Sequence, residues 1–236
     1  MPASPADSGR RAPQWRVCVL LTEASCARPW ADVLRAVIAG GADCIQVREK
    51  SLGDRDLLAR IRAAIEIARP AGAAVVVNDR VDLALAAGAD GVHVGQGDLP
   101  PGEVRRLAGD RLVVGASTHS LDEARAAVAA GALVCGVGAM FASPTKPDVA
   151  PSGPAYLRAY LAAVPHVPHL AIGGIDAARA AELAALGCRG VAIGAAACAA
   201  ADPAAAVHAI RAALDGAAAP AAPAAPAANR APASAP

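Results

Sequence analysis

Three polar side chains stand at alternate positions at the end of a short apolar segment: Gln46, Arg48 and Lys50. A β-strand turns alternate side chains to the same face, so an extended segment would aim one amide and two cations in the same direction. Lys146 adds a third cation further along the chain. Grouped cations of this kind suit a diphosphate, and we therefore predict a diphosphate-binding site. The alternative is a solvated charged edge.

Two acidic residues follow predicted strands that are consecutive along the chain. Asp79 comes directly after Asn78, and Asp98 lies two residues beyond Gln96. Neighbouring strands are about 4.8 Å apart, so the two carboxylates would repel each other unless a cation lay between them. Magnesium takes few protein carboxylates and completes its shell with water and substrate phosphate, which predicts a magnesium site here. The alternative is two loop aspartates, with Asp79 capping a helix that begins at Val81.

Glycines mark the ends of the last two predicted strands. Residues 171–175 read Ala-Ile-Gly-Gly-Ile, and residues 191–195 read Val-Ala-Ile-Gly-Ala. Glycine lets backbone N–H groups approach an anion, and barrel enzymes often bind phosphate at this pair of loops. The pair predicts a site for a phosphate monoester, although each glycine alone would also fit a simple turn.

Eight short segments rich in β-branched residues alternate with amphipathic stretches, and most of them lack a polar face. Such strands are typical of parallel sheets covered on both sides. The pattern predicts an α/β fold, a single (β/α)8 TIM barrel. A doubly wound sheet is the alternative, but it usually has fewer strands, and no G-x-G-x-x-G motif follows the first segment. The predicted strands are 16–21, 43–47, 74–78, 91–94, 112–115, 134–137, 169–172 and 190–193, and the predicted helices include 30–39, 54–68, 121–130, 176–186 and 203–214.

The polar residues and glycines above all fall where barrel strands end, and barrel enzymes carry their chemistry there. Ser117 and His119 follow the fifth predicted strand. A Ser-His-Asp hydrolase is disfavoured, because the chain has no G-x-S-x-G nucleophile motif. We expect His119 to lie at the start of a helix, and His93, which alternates with two valines, to lie inside the barrel.

The composition limits the partners and the location of the protein. Its 236 residues are 55% hydrophobic and only 2% aromatic, with a net charge of +1. A net charge this small does not favour binding to nucleic acid or to an anionic membrane, so the expected partners are small molecules. The sequence does not decide whether the chain forms a homo-oligomer. The six cysteines form no C-x-x-C pair, which favours buried reduced thiols. Without a signal sequence or a membrane span, we expect a cytoplasmic chain: a catalytic barrel at residues 15–215 between disordered tails at 1–14 and 216–236.

Six segments between Leu20 and Leu214 resemble, in order, the thiamine phosphate synthase family. The resemblance implies a (β/α)8 enzyme that condenses 4-amino-5-hydroxymethyl-2-methylpyrimidine diphosphate with a thiazole phosphate, giving thiamine phosphate and diphosphate. In that family diphosphate leaves first, and the thiazole nitrogen captures the pyrimidine carbocation. The segments are 46–50 (QVREK), 78–80 (NDR), 91–96 (GVHVGQ) with Asp98, 115–119 (GASTH), 145–147 (TKP) and 172–175 (IGGI).

The resemblance also implies a role for each matching residue. Asp79 and Asp98 would hold Mg²⁺, and the residues acting on the pyrimidine diphosphate would be Arg48, Lys50, Ser117 and Lys146. Two positions depart from the family, which usually has threonine at Ser143 and a hydroxyl residue at Ala195. The second departure would leave only backbone donors for the thiazole phosphate. The remaining substrate-binding residues would be Gln46, Val47, Glu49, Asn78, Ser143, Pro144, Thr145, Gly174, Gly194 and Ala195.

Two other functions stay open. A thiazole tautomerase, an isomerase on the same barrel, resembles the chain around His119 but has no need of a diphosphate clamp. A non-catalytic phosphate-binding barrel would have no use for the pair of acids.

Overall fold

The computed structural model describes residues 12–142 and 150–216 of the chain. Its parallel strands pair in sequence order and β1 also pairs with β8, which closes the barrel and confirms the predicted (β/α)8 fold. The strands are β1 (Val17–Leu21), β2 (Cys44–Val47), β3 (Ala74–Asn78), β4 (Gly91–Val94), β5 (Val113–Thr118), β6 (Val134–Gly138), β7 (His169–Ile172) and β8 (Val191–Ile193). The helices of the described residues are α1 (Trp30–Ala39), α2 (Asp54–Ala68), α3 (Val81–Ala87), α4 (Pro101–Ala108), α5 (Leu121–Ala129), α6 (Gly153–Ala163), α7 (Ala177–Ala185), α8 (Ala195–Cys198) and α9 (Pro203–Gly216).

Alternate residues of each strand pack on the two sides of the barrel wall, as the pleat of a strand requires. In β1, Val17 and Val19 belong to the large apolar core that also contains buried helix residues such as Leu34. A second, smaller apolar cluster fills the inside of the barrel and contains no aromatic residue among its fully buried members. Eight strands leave only enough internal space for side chains to fill, which suits these residues. They are Cys18, Cys44, Val76, Val113, Val134, Leu170 and Ala192.

Strand β5 is longer than the sequence predicted, and this changes the position of Ser117. The prediction ended the strand at Gly115, but Ser117 and Thr118 still pair in register with β6. The Thr118 hydroxyl donates to the Gly136 carbonyl oxygen at 3.1 Å, and the buried Tyr156 hydroxyl lies 2.7 Å from Thr118 Oγ1. Because these bonds extend the pairing, Ser117 lies on the strand and not in the loop after it.

Helix α5 begins with a capping arrangement that includes His119. Ser120 is the N-cap, and its side chain accepts from the Glu123 N–H at 3.2 Å. Glu123 Oε2 in turn accepts from the His119 N–H at 2.8 Å and lies 3.0 Å from His119 Nδ1. These reciprocal bonds satisfy backbone donors that a helix start leaves unpaired. His119 therefore lies at the start of a helix, as predicted.

Carboxylates pair with backbone donors at the opposite end of the barrel, where the strands begin. Asp43 Oδ2 accepts from the N–H groups of Arg16 and Val17 at 2.9 and 3.0 Å. Asp90 Oδ2 accepts from the Val75 N–H at 2.9 Å. Bonds that join neighbouring strand starts contribute to stability, which leaves the carboxyl ends of the strands for chemistry.

The cysteines agree with the expectation of reduced thiols: all six are free, and five of them are buried. Residues 1–11 and 217–236, most of the two predicted tails, lie outside the described residues, so the tails and the domain boundaries remain predictions. Residues 12–14 are neither helix nor strand, and α9 ends at Gly216, one residue beyond the predicted limit of the barrel.

Candidate active site

Polar residues line the inside of the barrel towards the carboxyl ends of the strands. Gln46 and His93 line one internal cavity of about 10 Å³, which has room for roughly one water molecule. His93 Nε2 lies 3.0 Å from Ser117 Oγ, and Asn78 is the register partner of His93 on the adjacent strand. Four neighbouring strands therefore bring these side chains together, and His93 lies inside the barrel as predicted.

Gln46 is buried, with 6% of its surface exposed. The hydrogen bonds of residues 12–142 and 150–216 include none to its side-chain amide. A buried amide normally has a partner, so its position between the internal cavity and the mouth of the barrel suits a bound ligand.

The two aspartates predicted to bind a metal meet at the mouth of the barrel. Asp79 follows β3 and has a φ of 63°, a left-handed conformation that aspartate tolerates better than most residues. Its N–H donates to the His93 carbonyl oxygen at 2.8 Å, which fixes the turn. Asp98 lies in the loop after β4, where its Oδ2 accepts from the Gly95 N–H at 2.8 Å. The N-cap of α3 is Arg80, so Asp79 is not the helix cap of the alternative interpretation.

The electrostatics of Asp79 show what surrounds it. Burial, a hydrogen bond with the Asp98 side chain and the charge of Asp98 raise the pKa of Asp79 to about 6. The charges of Lys50 and Arg48 lower the pKa of the same carboxyl and partly offset this rise. The Asp79 carboxyl is therefore close to the Asp98 carboxyl and to the two cations that follow β2, Arg48 and Lys50.

Arg48 and Lys50 line an open cavity of about 460 Å³ between the loops that follow β1 and β2. This volume is in the range of small-ligand sites. The Thr22 hydroxyl donates to the Arg48 carbonyl oxygen at 2.8 Å, so the two loops are joined beside the cavity. The arrangement offers two cations to an anion at the edge of the acid pair.

The glycine turn after β7 has no room for a side chain. Gly174 has a φ of 62°, and an added Cβ would lie 2.5 Å from the Ala142 carbonyl oxygen. Arg179 NH1 donates to the Gly174 carbonyl oxygen at 2.6 Å, and its guanidinium stacks on Phe141, 4.7 Å from the ring centroid. An added Cβ at Gly194, which follows β8, would make ordinary van der Waals contact with Leu20, 3.9 Å from its carbonyl oxygen. Close packing against Phe141 and Ala142 therefore requires glycine at position 174, whereas a small side chain would fit at position 194.

Two of the predicted substrate-binding residues point their side chains elsewhere. Val47 packs into the apolar core outside the barrel wall, because it alternates with Gln46 and Arg48 along the strand. The Glu49 carboxylate accepts from Arg60 NH1 and from the Glu23 N–H. The Val47 side chain is therefore part of the core, and the Glu49 carboxylate is engaged with Arg60 at the edge of the cavity that Arg48 and Lys50 line.

Four more predicted site residues lie outside the described part of the chain: Ser143, Pro144, Thr145 and Lys146. Sequence reasoning missed the roles of Glu23 and Arg60, which contact Glu49 in the structure. Neither belongs to a motif, and Arg60 comes eleven positions after Glu49 on a helix, so spacing alone gave no signal.

Comparison with known proteins gives the family. A sequence model described as thiamine monophosphate synthase matches residues 17–197. The solved structure of a thiamine phosphate pyrophosphorylase from Pyrococcus furiosus has a TM-score of 0.78 to this chain at 32% identity, covering 86% of this chain and 96% of that one. The chain belongs to the thiamine monophosphate synthase family.

Two curated relatives agree with this assignment. The chain is 46% identical over 154 residues to the thiamine-phosphate synthase of Moorella thermoacetica, covering 64% of this chain and 73% of the relative. It is 44% identical over 124 residues to the thiamine-phosphate synthase of Roseiflexus sp. (strain RS-1), covering 52% of each, so that match spans about half the length of that relative. The resemblance seen in the sequence is confirmed, and the chain is a thiamine phosphate synthase type of enzyme in thiamine biosynthesis.

The acid pair suits a hard cation. Burial and the neighbouring Asp98 carboxyl raise the pKa of Asp79 to about 6, and a divalent ion bound between the two carboxyls would remove their repulsion. No group of three or more potential metal-ligating side chains occurs in residues 12–142 and 150–216. A pair of carboxylates fits magnesium, which takes one or two protein carboxylates and keeps water and phosphate ligands.

Within the same residues, none of the helices has the length and apolar character that crossing a membrane requires.

Proposed function

We propose that the mouth of this barrel is where the enzyme joins 4-amino-5-hydroxymethyl-2-methylpyrimidine diphosphate to a thiazole phosphate and releases diphosphate. The supporting observation is that Asp98, Lys50 and Arg48 all act on the Asp79 carboxyl, so acids and cations share one point. Such a mixture of charges has little use in an isomerase that handles no diphosphate. It suits a reaction whose leaving group is a polyanion.

The chain's own cations would stabilise the departing diphosphate. Arg48 can form paired hydrogen bonds with phosphate oxygens, while Lys50 adds a point charge beside the same cavity. Asp79 and Asp98 would hold magnesium, which supplies further positive charge to the leaving group when it is bound. Lys146, outside the described residues, would add a third cation.

The pyrimidine ring would lie over the polar inner surface of the barrel. Gln46 and Asn78 would supply amide hydrogen bonds, and Ser117, held 3.0 Å from His93 Nε2, would supply a hydroxyl group in a fixed position. Diphosphate departure would leave a carbocation on the ring methylene, and the thiazole nitrogen would donate its electron pair to that carbon. This step needs a stabilised leaving anion and a dry site more than it needs a general base.

The thiazole phosphate would bind on the other side of the mouth, where Gly174, Gly194 and Ala195 leave backbone groups accessible. Ser143, Pro144 and Thr145 would complete this part of the site. Because Ala195 has no hydroxyl group, we expect this phosphate to depend on backbone N–H donors.

Substitution of Asp98 tests the proposal. Asp98→Asn keeps the size of the side chain and an oxygen for the Gly95 N–H, but removes the charge. We expect magnesium-dependent formation of thiamine phosphate to fall by roughly 10²-fold, in the range measured for losing one electrostatic group from an active site. The assay follows diphosphate release from the two heterocycles over a magnesium titration.

Asp122→Asn is the matched control, since Asp122 is an exposed carboxylate on α5, remote from the acid pair in sequence. It should keep parental activity, and both variants should keep the parental circular dichroism spectrum. Undiminished activity of a folded Asp98→Asn protein would remove Asp98 from the metal site. Isomerisation of the thiazole phosphate alone, without condensation, would instead favour the tautomerase.

A further inference from the structure

An ionic cluster lies beside the cavity of about 460 Å³ that Arg48 and Lys50 line. It consists of Glu23, Glu49 and Arg60, and the Trp30 ring packs against the Arg60 guanidinium. Arg60 NH2 lies 2.9 Å from Glu23 Oε2, and Arg60 NH1 lies 3.3 Å from Glu49 Oε1. The same Glu49 oxygen accepts from the Glu23 N–H at 2.7 Å. One arginine of α2 therefore joins the loop after β1 to the loop after β2.

Two members of the cluster are largely withdrawn from water, whereas the Glu23 side chain is 52% exposed. The Glu49 side chain is 5% exposed and that of Arg60 is 16% exposed. The Arg60 guanidinium also lies 4.4 Å from the centroid of the Trp30 ring, a cation–π distance that fixes its plane. Separating a buried ion pair leaves an unpaired buried charge, so contact between Arg60 and Glu49 is strongly favoured.

Glu49 lies in the chain between the two cations that face the cavity, Arg48 and Lys50. The Arg48 N–H donates to the Leu21 carbonyl oxygen at 2.9 Å, and the Arg48 carbonyl oxygen accepts from the Thr22 hydroxyl at 2.8 Å. With Glu49 held as well, the backbone at Arg48 and the side chain that precedes Lys50 are both tied to neighbouring elements. The direction in which the two cations point is thereby set from the side opposite the ligand.

We infer that Arg60 is a positioning residue for the pyrimidine diphosphate: it holds Glu49 and so orients Arg48 and Lys50. Arg60 itself lies behind the loop and does not touch the substrate. This inference rests on the proposed function, since it concerns the diphosphate clamp of the same site. It assigns to a helix residue outside every recognisable motif a selective effect on one of the two substrates.

Arg60→Met tests the inference, because methionine keeps an apolar contact with Trp30 while losing the charge and both hydrogen bonds. We expect KM for the pyrimidine diphosphate to rise roughly tenfold, as for a clamp misplaced by a fraction of an ångström, with KM for the thiazole phosphate unchanged. Arg60→Lys keeps the charge and should recover most of the loss. Arg62→Met is the matched control: Arg62 is on the same helix, but its described contact is with the Ala86 carbonyl oxygen.

A double-mutant comparison shows whether Arg60 acts through Glu49. If it does, Glu49→Met with Arg60→Met should raise KM no further than Glu49→Met alone, since methionine at position 49 has already removed the acceptor of the contact. The double variant also removes both charges together, so it leaves no unpaired buried carboxylate should Arg60→Met alone fail to fold. Independent, multiplicative effects on KM would overturn the inference.

Arg48→Met distinguishes a failure of the positioning role of Arg60 from a failure of the proposed diphosphate site. The positioning role is wrong, and the proposed site stands, if Arg48→Met raises KM for the pyrimidine diphosphate but folded Arg60→Met does not. The same conclusion holds if Arg60→Met changes the KM values of both substrates equally. If Arg48→Met itself leaves KM unchanged, the diphosphate clamp of the proposed function is wrong.

Discussion

His169 gives a prediction about acid stability that can be worked out in full. It is the first residue of β7, with 7% of its surface exposed, and its Nε2 accepts from the Arg189 N–H at 3.1 Å. Its ring makes an edge contact with Tyr160 at 5.8 Å between centroids. Burial, with a smaller effect from the Arg189 charge, lowers the pKa of His169 from 6.5 to about 4. The folded protein therefore keeps this imidazole neutral in mildly acidic solution.

The sign of the effect follows from comparing the two states. Below pH 6.5 the unfolded chain binds a proton at His169, whereas the folded chain does not until the pH approaches about 4. Stability that is fully present above pH 6.5 is lost as the pH falls through this window. At 1.36 kcal/mol for each pKa unit the total is about 3 kcal/mol, of which about 2 kcal/mol is lost between pH 7 and pH 5.

His169→Gln removes this titration and keeps an oxygen able to accept from the Arg189 N–H. We expect the variant to be less stable than the parent at pH 7, because it loses the ring contact, but to lose about 2 kcal/mol less between pH 7 and pH 5. Urea unfolding at the two pH values measures the difference. His166→Gln, at an exposed position three residues earlier, is the control and should change nothing. Equal pH dependence of His169→Gln and the parent would refute the reasoning.

Two further predictions concern the mouth of the barrel. Gly174→Ala should destabilise the fold by about 1–3 kcal/mol and raise KM for the thiazole phosphate alone, because its Cβ would clash with Ala142. Urea unfolding and steady-state assays measure the two effects. Gly88→Ala is the control for backbone strain, since Gly88 has a similar φ of 70° but open space around it. Asp79→Asn should raise the free energy of unfolding without magnesium by about 1 kcal/mol, because asparagine tolerates the same φ and the repulsion from Asp98 disappears, while magnesium-dependent activity falls. A variant that is both less stable and fully active would contradict the second expectation.

Much of the fold was readable from the sequence because its signals are local. Short runs of β-branched residues gave all eight strands, with every predicted start within one residue of the observed one. The error at β5 has a physical reason. Ser117 and Thr118 are polar and resemble a loop, but Thr118 finds a hydrogen-bonding partner in Gly136 of the next strand. Pairing across strands decided the boundary, and such pairing leaves no trace in a local pattern.

The candidate site was readable to the extent that it depends on strand ends. The alternation in β2 placed Gln46 and Val47 on opposite sides of the barrel wall, and the pairing of β3 with β4 brought Asp79 close to Asp98. Glu49 shows the limit of the motif: its neighbours face the cavity, but its carboxylate contacts Arg60 on α2. A contact between a loop and a helix depends on how the helix packs, so spacing along the chain could not predict it.

The position of Asp79 links the fold to the chemistry. Among the described residues it is the only non-glycine residue with a positive φ, and it is also the carboxyl whose charge is opposed by burial and by Asp98. Both features lower the stability of the folded protein. Neither is needed to close the barrel, because the contact with the His93 carbonyl oxygen is made by the backbone N–H of Asp79, which any residue except proline would supply. A strained backbone and an unfavourable charge on the same side chain are typical of residues held in place for a ligand. A cation that favours the ionised carboxyl would recover the electrostatic cost on binding, which supports the magnesium site proposed for Asp79 and Asp98.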